Sequence, residues 1–128
     1  MSVPKIDLSG KTVLVVEDNE TSRVYFEAAL KKTNADALWA KNGREAVDFF
    51  ENDTPIDLVL MDLNMPEMDG FEATKLIKGI KPDVPIIVQS AYILSGEEQK
   101  SYEAGCDEFL SKPIRLNNLL EAIQRHLT

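Results

Sequence analysis

Short apolar runs recur along this chain, and each is followed by a segment patterned at helical period. Thr12–Val16 is apolar on both of its faces, as a strand is in a sheet covered on two sides. Residues 20–32 place Tyr25, Phe26, Ala29 and Leu30 on one stripe, which predicts a helix. Ala37–Ala40, around Trp39, predicts a second strand. Asn42-Gly43 then opens a helix through Ala46, Val47, Phe49 and Phe50 that ends near Asn52-Asp53. Asp57–Met61 reads as the third strand, and Asp69-Gly70 starts a helix carrying Phe71, Ala73, Leu76 and Ile77, with Asp69 as its cap. Val84–Val88 follows as a fourth strand. Ser95 is expected to cap the next helix and Gly105 to close it in the left-handed conformation. Glu108–Leu110 and Leu116–Leu127 complete the pattern as a strand and a helix. Alternation of this kind specifies an α/β domain with a parallel sheet, and right-handed crossovers leave only a few doubly wound orders.

The 128 residues suffice for one such domain. Hydrophobic residues make up 44% and charged residues 28%, a balance that buries a core rather than staying disordered. Lys and Arg number 14 against 22 Asp and Glu, for a net charge of −8. That is the wrong sign for a phosphate backbone, so nucleic acid is not an expected partner. The longest uncharged stretch, Val84–Gly96, contains Gln, Ser, Pro and Gly and falls short of the ~20 apolar residues of a bilayer span. No charged-then-apolar leader opens the chain, so a cytoplasmic location without membrane contact is expected. Cys106 is the only cysteine, which excludes an internal disulfide and a cysteine metal cluster.

In doubly wound sheets, ligands bind beyond the carboxyl ends of the strands. Here those ends carry Glu17-Asp18-Asn19, Asp62, Gln89-Ser90 and Ser111-Lys112-Pro113. Taken one at a time, each has an ordinary explanation. Asp18 or Asn19 suffices to cap the first helix, Ser90 to sit in a loop, and Lys112 to be a solvated surface lysine. Together, the carboxylates demand more. Two like charges about 4 Å apart repel by roughly 4 kcal/mol at an effective dielectric near 20. Clustering Glu17, Asp18 and Asp62 therefore calls for something positive among them, and Lys112 offers one charge against three. An all-oxygen set suits Mg²⁺ better than zinc, which prefers nitrogen and sulfur.

The runs Val15-Val-Glu-Asp-Asn19, Met61-Asp-Leu-Asn-Met-Pro-Glu-Met-Asp-Gly70, Gln89-Ser-Ala91 and Phe109-Leu-Ser-Lys-Pro113 resemble the motifs of response-regulator receiver domains, in the family's order. The resemblance extends from about Lys11 to Leu127 and implies a three-layer (βα)5 sandwich with strand order 2-1-3-4-5. It implies residues 1–10 as a linker and 11–128 as the receiver. Carried over residue by residue, it makes Asp62 the phosphoacceptor and gives Mg²⁺ to Glu17, Asp18, Asp62 and the backbone carbonyl of Asn64. It makes Ser90 the switch hydroxyl, Phe109 the switch aromatic and Lys112 the phosphoryl-binding lysine, with a cis bond before Pro113. Phosphorylation should draw Ser90 toward the phosphoryl group and let Phe109 rotate inward. The implied partner is a histidine kinase or a histidine phosphotransfer domain. The Ile6-Asp-Leu-Ser-Gly-Lys11 lead-in and the run Gly105–Ile114 further resemble the receiver of a hybrid sensor kinase.

The residues leave other readings to compare. A phosphatase of the haloacid-dehalogenase type also forms an aspartyl phosphate, but it needs an Asp two residues after the nucleophile, where this chain has Asn64. A flavin carrier of the same architecture needs a Gly/Ser/Thr-rich phosphate loop after the first strand, where Glu17-Asp-Asn-Glu20 would repel a phosphate. A receiver-like binding module without chemistry leaves the filled positions unexplained. No turnover enzyme is expected beyond self-phosphorylation and autodephosphorylation. Met61, Met65 and Met68 are expected as packing and loop anchors, Cys106 and Trp39 as packing residues. His126 lies in the last helical turn, where a cation suits the helix dipole. Val24 and Ala28 fall outside the packed stripe of the first helix. With Pro113 and Ile114 they form a small apolar patch on which a phosphodonor could dock. The last helices show no charge pattern that fixes a dimer, so a monomer is expected.

Overall fold

The structure, a computed structural model, describes residues 6–63, 69–90 and 96–127. Five strands, β1 (Thr12–Val16), β2 (Asp36–Ala40), β3 (Leu58–Asp62), β4 (Ile86–Ser90) and β5 (Glu108–Ser111), alternate with five helices. These are α1 (Glu20–Lys31), α2 (Gly43–Glu51), α3 (Gly70–Ile80), α4 (Glu97–Ala104) and α5 (Leu116–Leu127). The strands form one parallel sheet in the order β2-β1-β3-β4-β5. This is the order the family resemblance implied.

The two-sided apolar strands divide by parity. Leu14, Val16, Val59, Met61, Ile86 and Val88 face a core shared with Ala46, Val47 and Phe50 of α2 and Ala73 and Ile77 of α3. Val13, Val15, Leu58, Leu60 and Ile87 face the other core, with Phe26, Ala29 and Leu30 of α1 and Leu119, Leu120 and Ile123 of α5. Successive side chains of a strand point to opposite faces, so a strand buried on both sides must be apolar throughout. Ile6 and Leu8, ahead of β1, are buried in the second core.

Helix starts follow local chemistry. Asn19, Asn42 and Asp69 accept the amide hydrogens of Ser22, Glu45 and Glu72, as N-caps do. α4 differs from expectation: its N-cap is Gly96, without a side-chain cap bond, and Ser95 lies outside the described residues. Gly105 ends α4 at φ 113°, a left-handed position that a side chain would strain.

Strands β3 and β4 run later than hydropathy suggests. Asp57 is not a strand residue. Its carboxylate accepts the Thr12 N–H at 2.8 Å and its own N–H binds the Thr12 carbonyl at 2.8 Å, closing the sheet's lower edge. At the other end the ladder continues through polar residues, pairing Asp62 with Gln89 and Ser90 with Ser111. Tyr25 is not on the buried stripe; it lies half exposed beside Phe26, and its hydroxyl donates to the Ile114 carbonyl at 2.8 Å. Trp39 packs partly against the second core, under the Arg23 guanidinium at 5.0 Å. His126 does more than sit in a helix terminus: with Arg125 it binds Glu108 of β5, holding that carboxyl below its ordinary range against the opposing effect of burial.

Candidate phosphoacceptor site

Strand order decides which chain segments meet. Because β1, β3, β4 and β5 are consecutive neighbours, Glu17-Asp18, Asp62, Ser90 and Lys112 come from adjacent strand ends. Glu17 and Asp62 are buried, 1% and 3% exposed, whereas Asp18 faces solvent. Oxygens of all three carboxylates lie within 4.8 Å of one another. Lys112 reaches in from the end of β5, its Nζ 3.4 Å from Glu17 Oε2 and 3.6 Å from Asp62 Oδ1.

One ammonium does not neutralise this group. Burial, reinforced by the Asp62 charge, pushes the Glu17 carboxyl up to about 7, although Lys112 and the Asn19 N–H work the other way. A buried carboxylate held near neutrality in this way is an electrostatic cost that a cation removes. The donor set is all oxygen and open to solvent on the Asp18 side, which suits a hard divalent ion that keeps some of its water.

The loop after β3 is shaped by Gly70. A Cβ at that position would stand 2.7 Å from the Asp62 carbonyl oxygen and 2.9 Å from Leu63 Cα. The start of α3 therefore packs directly on the backbone of the Asp62 strand end. Asn64, Met65 and Met68 lie outside the described residues. Ser90 is fully buried at the end of β4, and its hydroxyl donates to Glu97 Oε1 at 2.6 Å. Phe109 pairs with Val88 and Ser111 with Ser90, so Phe109 lies on the Ser90 side of the sheet, one alternate position back. It is half-buried against the first core. The Lys112–Pro113 bond is cis.

Two residues near the site escape sequence reading. Glu97 looks like any acidic residue in a helix's first turn. Gln89 is legible as part of a strand end but not as a buried side chain: it is 2% exposed, and neither its amide nitrogen nor its oxygen has a hydrogen-bond partner among the described residues. It lies beneath a concavity of about 440 Å³ between α1 and the β5–α5 connection, bordered by Tyr25, Phe26, Lys112, Pro113 and Ile114. Val24, 63% exposed, and Ala28 are exposed on α1, as expected. No helix among the described residues is long and apolar enough to cross a membrane.

Comparison with known proteins agrees with this geometry. Residues 13–124 match the response regulator receiver domain family. The chain is 34% identical to the polar-differentiation response regulator DivK of Brucella anthropi over 119 residues, covering 91% of this chain and 96% of that one. It superposes with a TM-score of 0.85 on the receiver domain of a sensor histidine kinase from Pseudomonas aeruginosa, at 31% identity over 93% of this chain and 98% of that one. That structure carries a magnesium ion coordinated in its active-site cleft. A receiver domain of a histidine kinase from Syntrophus aciditrophicus superposes with a TM-score of 0.85 at 32% identity, over 92% of this chain and 90% of that one.

Proposed function

Since the chain belongs to the response regulator receiver domain family of two-component signalling, we propose that it accepts a phosphoryl group on Asp62 from a phosphohistidine, with Mg²⁺ held by Glu17, Asp18 and Asp62. The supporting observation is the convergence of three carboxylates and the Lys112 ammonium at adjacent strand ends. An Asp62 carboxylate oxygen attacks phosphorus; the new P–O bond forms as the P–N bond breaks, and the electron pair returns to the imidazole ring. The transferred group spreads charge over its equatorial oxygens, so positioning and electrostatics carry the catalysis. Bound Mg²⁺ would neutralise the carboxylates and polarise the phosphoryl oxygens. Lys112 Nζ, already between Glu17 and Asp62, takes a phosphoryl oxygen, and the Ser90 hydroxyl takes another once the switch has turned, with Phe109 moving into the space behind it. Hydrolysis of the acyl phosphate returns the domain to its resting state.

Incubation with a small phosphodonor such as acetyl phosphate and Mg²⁺ should add one phosphate, which intact-mass measurement detects. Asp62→Asn should abolish it, and a chelator should suppress it. Undiminished labelling of the variant refutes the assignment.

The phosphodonor is a histidine kinase or phosphotransfer domain, as for receivers generally. Our finer reading is a cytoplasmic, monomeric receiver spanning residues 11–128 behind a lead-in of residues 1–10, cut from a hybrid sensor kinase. The likeness to two histidine-kinase receivers supports the hybrid origin. A kinase core encoded upstream in the same reading frame would bear it out, and a frame confined to these 128 residues refutes the hybrid origin.

A further inference from the structure

The fully buried Ser90 hydroxyl has one proton to donate, and in this structure it goes to a carboxylate. Glu97 Oε1 accepts it at 2.6 Å, the short distance of a charge-assisted bond. Glu97 is the first residue of α4, whose N-cap Gly96 makes no side-chain cap bond, and its contact with Ser90 ties the first turn of the helix to the end of β4. Glu97 is also tied into its own helix. The buried Ser101 hydroxyl, one turn on, donates to the Glu97 backbone carbonyl at 2.8 Å.

We propose that Glu97 is a positioning residue that latches Ser90 and the first turn of α4 together in the resting protein and is released when Asp62 is phosphorylated. The proposal rests on the Asp62 reading above. A single hydroxyl proton cannot serve Glu97 and a phosphoryl oxygen together, so the two states exclude one another. Once Ser90 turns to the phosphoryl group, the half-buried Glu97 carboxylate has lost its donor and faces a new negative charge near the β4 end. Both effects drive it outward, and the start of α4 goes with it. The event at Asp62 is thereby converted into movement of a surface helix, a two-state element biased by one exchanged hydrogen bond.

The test uses the full chain and four substitutions. Glu97→Ala removes the acceptor. Glu97→Asp keeps the charge in the first turn but withdraws the oxygen by one methylene. Glu97→Gln keeps an acceptor oxygen without the charge. Glu98→Ala, at an exposed neighbour in the same turn, removes a charge but not the bond. Without phosphodonor, amide hydrogen exchange at Lys100 and Ser101 should quicken about tenfold in Glu97→Ala and Glu97→Asp, the equilibrium equivalent of one charge-assisted hydrogen bond. Glu97→Gln should fall between, and Glu98→Ala should match the parent. In parallel, the rate of labelling by a small phosphodonor should rise in the two unlatched variants. Equal behaviour of Glu97→Asp and Glu98→Ala overturns the latch. Faster exchange with an unchanged labelling rate reduces the bond to a structural contact and overturns its part in switching. If the parent chain takes no label at all, the Asp62 reading fails instead, while the exchange data still decide whether Glu97 ties down α4.

Discussion

Two glycines in the same helix should respond to the same substitution with opposite sign. Gly79, near the end of α3, has nothing within 4 Å of where a Cβ would stand. Gly79→Ala therefore gains helix propensity and loses unfolded-state entropy, for a stabilisation of about 0.5 kcal/mol. Gly70 starts the same helix, but its Cβ would lie 2.7 Å from the Asp62 carbonyl oxygen and 2.9 Å from both Leu63 Cα and Leu63 Cδ2. The first two are backbone atoms at the end of β3 and cannot swing aside as a side chain can. Overpacking costs about 1–3 kcal/mol, and immovable neighbours put this case toward the upper end. After the propensity gain, Gly70→Ala should destabilise the domain by about 2 kcal/mol. With a urea slope of about 2 kcal/mol/M, its midpoint should fall by about 1 M while that of Gly79→Ala rises slightly. Slopes should be unchanged. Because the clash pushes on the Asp62 backbone, Gly70→Ala should also slow labelling by a small phosphodonor, and Gly79→Ala should not. Midpoints moving in the same direction for both variants would refute the steric argument.

Further outcomes follow from the site and its surroundings. The fold holds a proton on Glu17 up to about pH 7 that an ordinary glutamate surrenders near 4.5, so stability of the metal-free protein should fall as pH rises between those values. Glu17→Gln should flatten that slope, and saturating Mg²⁺ should reverse it by favouring the ionised form; a parent slope that survives Glu17→Gln contradicts the assignment. Val24→Asp, on the exposed side of α1, should slow phosphotransfer from a phosphohistidine donor about tenfold and leave small-donor labelling intact. Equal losses with both donors would mean damage to the site, and no loss would remove the patch as a docking surface. Cys106 is buried, with its thiol pushed up to about 12 chiefly by that burial, so a thiol reagent at neutral pH should modify it only in denaturant. Rapid native labelling would show that the end of α4 opens.

The alternation of strands and helices was legible because it is local. Val13 to Val16 announce a two-sided strand, and Asn42 and Asp69 announce helix starts, within a few residues of themselves. The carboxylates and Lys112 were legible as candidates for the same reason, since each closes an apolar run. Hydropathy failed where polar residues extend a strand. Gln89 and Ser90 belong to β4 because neighbouring strands pair with them, which no window around them reveals. Composition and pattern also left several sheet orders open, and only the tertiary arrangement β1-β3-β4-β5 makes neighbours of segments up to 95 residues apart, as Lys112 and Glu17 are. The same holds for Gly70, whose need to be small comes from the backbone of β3, and for Glu97, whose partner is the buried hydroxyl of β4. Local propensity and charge placed the reactive side chains at strand ends. Crossover connections and sheet packing, which depend on the whole chain at once, brought those ends together and set which of them touch.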